Sequence, residues 1–557
     1  MLGMRSRLSR QEAEMAKKPA NKLKLKPGLT IGTAGAETDD AFLYESFLQT
    51  GYFDAALDAR DPRFLVVGRT GSGKTALLNM VERRSRHVVR IDPSELHFQH
   101  IANSNIVGFI SSLGVRIEPF FEMLWRYTFV VELIRAKFNI QDARGAKTLF
   151  ERLGVKTKRI RALTMLRDLS PEFWKAIDVR VTEANKTLEK SVKGALGGKV
   201  ADADFSAEGA SRLTEQHRVE YRHRVEQVLG SEQLSALREA IKFLAEEVFD
   251  DDQNIFYVII DDLDKEFAED EMRVRLLKTL VETIRSMRPV RNVKFLAAIR
   301  TDLLDLVFER TRDAAFQQEK YEDCILNVTW TTNDLFEVLN RRINLLFKRV
   351  YTKESVDFYD IFSDEVNRKP TREYIIERTL LRPRDCILFV NRCLDKAQNS
   401  ALITAPHVKA AEADYSASRF ISLRDEWVIL YPRLDQYVKP LRQKPANFHL
   451  RDIDEAAIYD LLLELAATGE ETPDRLSIHA VAEYEKKDAD IPGFRARWAM
   501  VLFQVGILGV KPAPNMTMMW SFRDKVTVSE TTFQPSVLLN VHPMFWHELG
   551  SRPPQQA

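Results

Sequence analysis

Residues 68–75, Gly-Arg-Thr-Gly-Ser-Gly-Lys-Thr, match the spacing G-x-x-x-x-G-K-[ST] at every fixed position. An apolar, strand-like run precedes them, and a helix-forming stretch follows. The glycines let successive backbone N–H groups converge on one point, toward which the next helix directs its positive end. In this pattern Lys74 reaches the β- and γ-phosphates of a nucleotide, and the Thr75 hydroxyl binds Mg²⁺. The sequence therefore predicts a triphosphate site formed by Gly68, Thr70, Gly71, Ser72, Gly73, Lys74, Thr75 and Ala76.

Two carboxylates follow a second apolar run, residues 255–260. Continuous apolarity predicts a strand buried on both faces, as in a parallel sheet, and such sheets bind ligands where their strands end. We predict that Asp261 holds Mg²⁺ through water and that Asp262 orients or deprotonates the attacking water. Acidic residues often follow strands, so this signal is weak alone. The complete glycine motif earlier in the chain strengthens the interpretation of these aspartates as site residues.

Two arginines are candidates for contact with the phosphates. Arg300 follows another apolar, strand-like run. Its guanidinium would stabilise charge in the transition state or sense the γ-phosphate, and the alternative is a local pair with Asp302. Arg384 lies at the start of a predicted helix. It would reach back to the phosphates from a lid, or it would pair with Asp385 or cap the helix, and the sequence leaves both interpretations open.

The elements that position these residues indicate an α/β protein with a parallel sheet. The predicted strands are 64–67, 87–92, 255–260, 293–299 and 324–330. From about 100 to 250 the apolar periodicity is helical, so we predict an all-helical insertion there. The predicted parts are a basic flexible arm at 1–38, a P-loop ATPase core at 39–350, a helical lid at 351–450 and a winged-helix-like domain at 451–557.

The C-terminal part shows a change of pattern near Arg451. Predicted helices at 452–467, 476–484 and 494–505 precede predicted strands at 506–510, 517–522 and 537–541. This order is typical of a winged helix, which can place a helix in the major groove of DNA. Its positive charge comes from Arg495, Arg497, Arg523 and Lys525 and forms no dense stripe. For this module, nucleic-acid binding and an interaction or lid-locking role both stay open. For the basic arm, the alternatives are a solvated tail and a nucleic-acid contact.

Composition limits the class of protein. A chain of 557 residues exceeds the size of one hydrophobic core, and 45% hydrophobic with 29% charged residues is typical of a soluble globular protein. The net charge of +1 gives no global attraction to nucleic acid. Three cysteines form neither a metal-binding spacing nor a disulfide framework. With no membrane-length apolar run, we expect a cytoplasmic protein without membrane contact.

Other chemistries lack their motifs. No N-K-x-D element follows the acidic strand, so adenine is favoured over guanine. No serine nucleophile elbow and no H-E-x-x-H occurs. The ten histidines are scattered and suggest no metal site.

Several segments together resemble a family of bacterial P-loop ATPases from defence-type gene neighbourhoods, relatives of the STAND and KAP branches of the AAA+-like ATPases. They are GRTGSGKTALL (68–78), DPSELHFQHIANS (92–104), YVIIDDLDKEF (257–267), FLAAIRTDLL (295–304), FQQEKYED (316–323), LRPRDCILFVNR (381–392) and HPMFWHELG (542–550). The similarity covers roughly residues 40–400 and the C-terminal end. The segments at 316–323 and 381–392 are the more specific part.

The resemblance implies a sheet of order 5-1-4-3-2 with a helical lid and a winged-helix domain. It also implies ATP and Mg²⁺ at Lys74, Thr75 and Asp261, with Arg300 in the sensor position. Sites of this class often take an arginine from a neighbouring subunit, for which Arg312, Arg341 and Arg342 are candidates. A STAND switch usually carries a fused effector or a repeat sensor, and this sequence shows neither pattern. A homo-oligomer or a separate effector or sensor protein is therefore the expected partner.

Three functions fit these patterns. The first is a slow ATPase that acts as a conformational switch. The second is a DNA-stimulated motor or loader that uses the winged helix and the basic arm. The third is an interaction scaffold with a vestigial site, which the intact Gly73, Lys74, Thr75, Asp261 and Asp262 argue against.

Overall fold

The computed structural model describes residues 24–93, 105–138, 186, 190, 214–230, 232–263, 270–310, 318–351, 355–468, 474–524 and 528–553. Contacts divide the chain into two compact units. One is Gln49–Val328, and the other joins Met1–Leu48 to Thr329–Ala557. The division assigns both ends of the predicted 39–350 core to the second unit. The further separation into lid and winged-helix domain stays a prediction.

The first unit is built on a five-stranded parallel sheet of order β2-β3-β4-β1-β5. The strands are β1 (Leu65–Gly68), β2 (His87–Ile91), β3 (Phe256–Ile260), β4 (Val293–Arg300) and β5 (Ile325–Asn327). Each strand lies at one of the five predicted segments, and the order is the one that the resemblance implied. The α/β class and the parallel sheet are therefore confirmed.

Strands β3 and β4 lie inside the sheet, with a neighbouring strand on each side. Every residue of β3 and β4 is buried, as their continuous apolar runs predict for strands covered on both faces. The register pairs Gly68 of β1 with Arg300 of β4, and Ile260 of β3 with Ala297 of β4. Strands β1, β3 and β4 therefore end at the same edge of the sheet, where the candidate residues follow them.

Helices surround this sheet. They are α1 (Gly51–Leu57), α2 (Lys74–Arg84), α3 (Asn105–Ser112), α4 (Glu118–Phe138), α5 (Glu215–Gly230), α6 (Glu232–Phe243), α7 (Asp270–Ser286) and α8 (Thr301–Arg310). The described parts of the interval from 100 to 250 contain helices α3 to α6, as predicted. Trp125 of α4 is fully buried and donates its indole N–H to the carbonyl of Leu276 on α7, 3.1 Å away. This contact fixes the insertion to the helix that follows β3.

The second unit is mainly helical. Its longer helices are Asp40–Ser46, α9 (Thr332–Val350), α10 (Thr371–Ile376), α11 (Pro383–Lys396) and α12 (Ala405–Trp427). Four-residue helices lie at Phe358–Ile361, Leu434–Tyr437 and Trp546–Leu549. Leu25 is fully buried and exchanges backbone hydrogen bonds with Asn399 and Ser400. Residues 24–38, the end of the predicted basic arm, are thus packed onto this unit, and residues 1–23 lie outside the described ones.

The C-terminal part of this unit combines three helices with a small antiparallel sheet. The helices are α13 (Glu455–Thr468), α14 (Arg475–Tyr484) and α15 (Ile491–Val505), each at a predicted position. Earlier in the unit, two strands of two residues each form an antiparallel hairpin: β6 (Glu365–Val366) and β7 (Lys369–Pro370). The small sheet has the order β8-β10-β9, from β8 (Asn447–His449), β9 (Leu508–Lys511) and β10 (Leu538–Val541).

One strand of this sheet differs from the prediction. Segment 517–522 is not a strand and keeps only a bridge between Met519 and Val510. The Asp524 carboxylate accepts the backbone N–H of Trp520 at 2.8 Å, and this closes a turn where a ladder would continue. The third strand is β8, which is three residues long and was not predicted.

None of the helices in the described part of the chain combines the length and the apolarity that a membrane span requires.

Candidate functional site

The glycine-rich loop between β1 and α2 needs its glycines for two reasons. Gly71 and Gly73 have φ angles of 78° and 93°, in the left-handed region that side chains disfavour. Gly68 has no space for a side chain, because a Cβ there would lie 2.5 Å from the Ser72 hydroxyl oxygen and 3.3 Å from the Val328 carbonyl oxygen. The loop therefore closes tightly on itself between the sheet and the helix.

Helix α2 begins directly after this loop. Its first intrahelical bond runs from the Leu77 N–H to the Gly73 carbonyl, at 2.9 Å. The N–H groups of Lys74, Thr75 and Ala76 precede that bond, so no helical carbonyl lies behind them. The N-terminus of a helix also carries partial positive charge. This end of α2 is suited to an anion.

The Lys74 side chain folds back over the loop. Its ammonium group donates to the carbonyls of Gly68 at 2.9 Å and Arg69 at 3.2 Å. These are neutral acceptors, and a phosphate oxygen would be the stronger partner for the charge. Lys74 is thus held within the loop, and its contact with phosphate stays a prediction.

Asp261 follows β3 and is buried at the same edge of the sheet. The side chain of Thr75 interacts with this carboxylate and so links the glycine loop to the acidic strand end. Burial raises the pKa of Asp261, and the neighbouring charge of Asp262 adds to this. The Asp262 N–H, the Arg90 guanidinium and Thr75 act in the opposite direction. A dication at this carboxylate would relieve the cost of its burial.

Asp262 adopts a left-handed backbone conformation, with φ at 59°. Its N–H donates to the Asp261 carboxylate at 3.0 Å. Aspartate tolerates this region better than most side chains, yet the conformation still costs free energy. Strained backbone of this kind concentrates at functional sites, so the turn at Asp262 fits the role that the sequence predicts for its carboxylate.

Arg300 is buried at the end of β4, beside Gly68 in the sheet register. Its Nε donates to one carboxylate oxygen of Asp302 at 3.0 Å, and an Nη donates to the other at 2.6 Å. The local pair with Asp302 is thus formed. The sensor role stays a prediction and requires the guanidinium to exchange this partner for the γ-phosphate.

Arg90 is a site residue that the sequence analysis did not identify. It lies near the end of β2, and its guanidinium reaches Asn79 at 3.0 Å and Glu82 at 2.9 Å on α2. It also lies 3.3 Å from the Asp261 carboxylate. The only signal for it in the sequence is a cation at the end of a strand that neighbours β3, and this has meaning only once the strand order is known.

The other candidate arginines belong to the second unit. Arg384 is half-buried in the first turn of α11, where its Nε donates to the Ala34 carbonyl at 3.3 Å, and burial lowers its pKa. Arg342 is buried against Asp39 at 2.6 Å, and Arg341 pairs with Glu337 at 2.7 Å. Each is held within its own unit. Arg312 lies outside the described residues.

The arginines expected to give the C-terminal module a positive surface are also engaged. Arg497 pairs with Glu530 at 3.1 Å and lies 3.7 Å from Glu483. Arg523 pairs with Asp524 at 2.9 Å. Arg495 is buried, and Lys525 lies outside the described residues. These partners reduce the charge available to a nucleic-acid backbone.

Comparison with known proteins finds one family. A family model described as the FunZ-associated C-terminal helical domain matches residues 333–424. No curated protein and no solved structure gives a match. The matched segment runs from α9 into α12 of the second unit. The glycine loop and its carboxylates lie outside it, so their interpretation depends on the sequence motifs and on the geometry described above.

Proposed function

We propose that this chain is a P-loop ATPase that binds ATP with Mg²⁺ at residues 68–76, hydrolyses it slowly and acts as a nucleotide-driven conformational switch. The observation that supports this most is that the side chain of Thr75, at the start of α2, interacts with the Asp261 carboxylate at the end of β3. The two residues come from the two motifs that such enzymes use for Mg²⁺, far apart in the sequence. A chance glycine turn would give no reason for this contact.

The residues of the site fit a triphosphate and its metal. Gly71 and Gly73 give the loop its left-handed turns, and the N-terminal end of α2 offers its partial positive charge to an anion. Thr75 and Asp261 would hold Mg²⁺, which usually takes only one or two protein ligands beside phosphate and water. In the described part of the chain no three His, Cys, Asp or Glu residues cluster as a complete metal site. This agrees with a metal that arrives with the nucleotide.

Bound ATP supplies the phosphoanhydride bond, and Mg²⁺ supplies positive charge for the phosphate oxygens. Lys74 would exchange the carbonyls of Gly68 and Arg69 for the phosphates. Asp262 would orient the attacking water and take up its proton. Arg300 would add positive charge to the transition state after it leaves Asp302. Each of these roles uses a residue at the same edge of the sheet.

A switch needs a nucleotide site and a second part of the protein that responds to it. The chain has two compact units, with the glycine loop in one and the FunZ-associated match in the other. A domain described as C-terminal and helical suits a part that follows an ATPase core. A role in a bacterial defence system, with a separate effector or sensor protein, is proposed from the resemblance alone.

The test compares ATP binding and hydrolysis by the full chain and by two variants, Lys74→Ala and Asp261→Asn. We expect Lys74→Ala to lose ATP affinity by at least tenfold. Asp261→Asn should keep binding without metal but lose the gain in affinity that Mg²⁺ gives. The control is Lys242→Ala, which removes an exposed lysine from the same unit. Equal ATP affinity and turnover in Lys74→Ala and the control would overturn the proposal.

A second measurement separates a switch from other ATPases. The mass of the protein in solution is followed with ATP, with ADP and without nucleotide. A switch that assembles predicts a mass that changes with ATP and returns as ATP is consumed. An unchanged mass together with rapid turnover would contradict a slow assembling switch and favour an ATPase that does other work.

A further inference from the structure

A cavity lies entirely within the unit that contains the FunZ-associated match. Its volume is about 960 Å³, and it is lined by the β6–β7 hairpin, by helices α10 and α12, and by the C-terminal segment around Trp546. That volume suits a small molecule of nucleotide size. The glycine loop belongs to the other unit, so the cavity is not part of the ATP site proposed above.

One side of this cavity is a fixed ionic cluster. The Arg378 Nε donates to one oxygen of Glu412 at 2.6 Å, and the Tyr374 hydroxyl donates to the other at 2.5 Å. The Arg378 guanidinium also lies on the Tyr374 ring, 3.4 Å from its centre. Arg378 and Glu412 are both buried. Because Glu412 is already neutralised by these donors, it does not repel an anion as an exposed carboxylate would.

The remaining charges around the cavity are mostly positive. Lys369 pairs with Glu377 at 2.6 Å. Arg368 and Lys409 also line the cavity, and neither has an ion pair with any residue in the described part of the chain. His547 completes this side, with its Nε2 3.9 Å from Glu412. Arg368 and Lys409 thus line the cavity without ion pairs of their own among the described residues, while its carboxylates are already paired with other cations.

The backbone at Arg368 gives an independent indication. Asn367 and Arg368 have φ angles of 53° and 60°, and they form the two-residue turn between β6 and β7. Turns of this kind favour glycine at the second position, because a side chain there is strained. An arginine at this position costs stability, and strain of this kind is kept where the residue serves a function. Its charge at the cavity is the function that the geometry offers.

We propose that this cavity binds a small phosphorylated molecule carrying two or more phosphate groups, with Arg368 and Lys409 as its charge-recognising residues. Phosphate suits both cations, and the planar arginine can hold two phosphate oxygens at once. The site would let a second ligand act on the helical unit while ATP acts on the glycine loop.

The test measures binding of inorganic triphosphate by calorimetry, without Mg²⁺, to the full chain carrying Lys74→Ala. That background weakens the ATP site, so failure here leaves the proposed ATPase function untouched. We expect Arg368→Gly to lower triphosphate affinity at least tenfold while the melting temperature of the ligand-free protein rises, because the turn strain is removed. Lys409→Gln should lower affinity severalfold. Lys487→Gln, an exposed lysine outside the cavity lining, should change neither quantity.

The following outcomes would overturn the proposal. One is triphosphate affinity that Arg368→Gly and Lys409→Gln leave unchanged, or binding too weak to detect at millimolar concentration. The other is tight binding of a single-stranded oligonucleotide that these variants abolish and that triphosphate does not displace, which would assign the cavity to nucleic acid. A purely structural role for Arg368 would lower the melting temperature of Arg368→Gly, the opposite of the expected rise.

Discussion

The guanidinium of Arg300 is held by the carboxylate of Asp302 through two hydrogen bonds, of 3.0 and 2.6 Å, at the end of a central strand. The pair lies beside Gly68 in the sheet register and is mostly buried. An arginine in this position can act on the phosphates only by giving up a strong local partner. The balance between these two partners would then contribute to slow turnover.

We therefore predict that Arg300→Ala lowers ATP turnover by about a hundredfold, the loss typical when a positive group aimed at transition-state charge is removed. The dissociation constant for ATP should change by less than about threefold, because the contact forms only during the reaction. Steady-state turnover and equilibrium ATP titration measure the two effects separately.

Arg63→Ala is the matched control for this prediction. Arg63 also pairs with a carboxylate two residues away, Asp61 at 2.5 Å, but it precedes β1 and so lies at the opposite end of that strand. Its loss should leave turnover unchanged. Full activity in Arg300→Ala would show that Arg300 only anchors Asp302.

The backbone of the glycine loop gives a second prediction. Gly73 has a φ angle of 93°, so alanine there is strained by roughly 1–2 kcal/mol. We expect Gly73→Ala to lower the melting temperature and to weaken ATP binding at least tenfold, since the N–H groups of the loop no longer converge. Thermal unfolding and ATP titration test both effects.

Gly51→Ala is the control for the loop variant. Gly51 begins α1, and nothing lies within 4 Å of a Cβ added to it. Its replacement should be neutral or slightly stabilising. Equal behaviour of the two variants would mean that the loop tolerates a side chain at Gly73 and that its geometry is not what binds the phosphates.

The sequence predicted the main sheet well for a physical reason. Strands buried on both faces need continuous apolar runs, and such runs are visible in a single sequence, as in β3 and β4. The strand order came from the resemblance, because local pattern does not determine which strands pair. Strand β8 was missed, since three residues carry too short an alternation to recognise.

The sequence predicted those site residues whose roles depend on their spacing in a local motif. The glycine loop and the two aspartates could be found because their roles depend on a fixed local pattern. The contact between Arg90 and Asp261 joins residues that are distant in the sequence and adjacent in the sheet, so it needed the fold. The partner of Asp385 is a similar case. The sequence offered Arg384, but Arg382 at 2.8 Å and Arg419 at 3.2 Å fill that role.

One buried lysine on β4, Lys294, makes the stability of the folded chain depend on pH. Burial lowers the pKa of Lys294 from 10.5 to about 8, although Asp61 and Asp58 oppose the shift. Its ammonium group donates to the backbone carbonyl of Asp61 at 2.6 Å. Between about pH 8 and 10.5 the unfolded chain holds this proton while the folded chain releases it. The contribution of Lys294 to the free energy of unfolding therefore rises with pH across that window. Below about pH 8 the folded protein carries the full free-energy cost of burying the charged ammonium group.

Lys294→Met isolates this contribution from other groups that titrate in the same range. We expect the stability of the variant relative to the natural chain to fall by roughly 3 kcal/mol as the pH rises from 7.5 to 10.5. Denaturant unfolding at several pH values measures the difference. Parallel pH curves for the two proteins would rule out a lowered Lys294 pKa.

The engaged arginines of the C-terminal module lead to a prediction about DNA. Arg497 and Arg523 already pair with carboxylates, so few phosphates would be neutralised on binding. We expect single- and double-stranded DNA to change ATP turnover by less than about twofold, and any binding to depend only weakly on salt. Strong stimulation by DNA, lost between low and physiological salt, would instead favour a motor or loader.

A buried ionic cluster joins helices α11 and α12 of the second unit and gives the last prediction. Arg382 bonds to Asp385 at 2.8 Å and to Glu426 at 2.7 Å, and Arg419 bonds to the second oxygen of Asp385 at 3.2 Å. Burial has the largest single effect on the pKa of Asp385 and raises it, but the attraction of Arg382 and Arg419 together with the hydrogen bonds from Arg382 and Leu380 outweighs burial, so the pKa is lowered. Asp385 also accepts the backbone N–H of Leu380 at 3.2 Å. One carboxylate thus satisfies donors from three residues.

Asp385→Ala should lower the free energy of unfolding by about 3–5 kcal/mol, because it leaves Arg382 and Arg419 charged and buried without this partner. Asp425→Ala, which removes the exposed partner of Arg424, should cost less than about 1 kcal/mol. Denaturant unfolding compares the two variants. ATP affinity should be the same in both, since the glycine loop belongs to the other unit. If Asp385→Ala is no less stable than Asp425→Ala, the cluster has no structural importance, and the start of α11 would be free to act on a ligand instead.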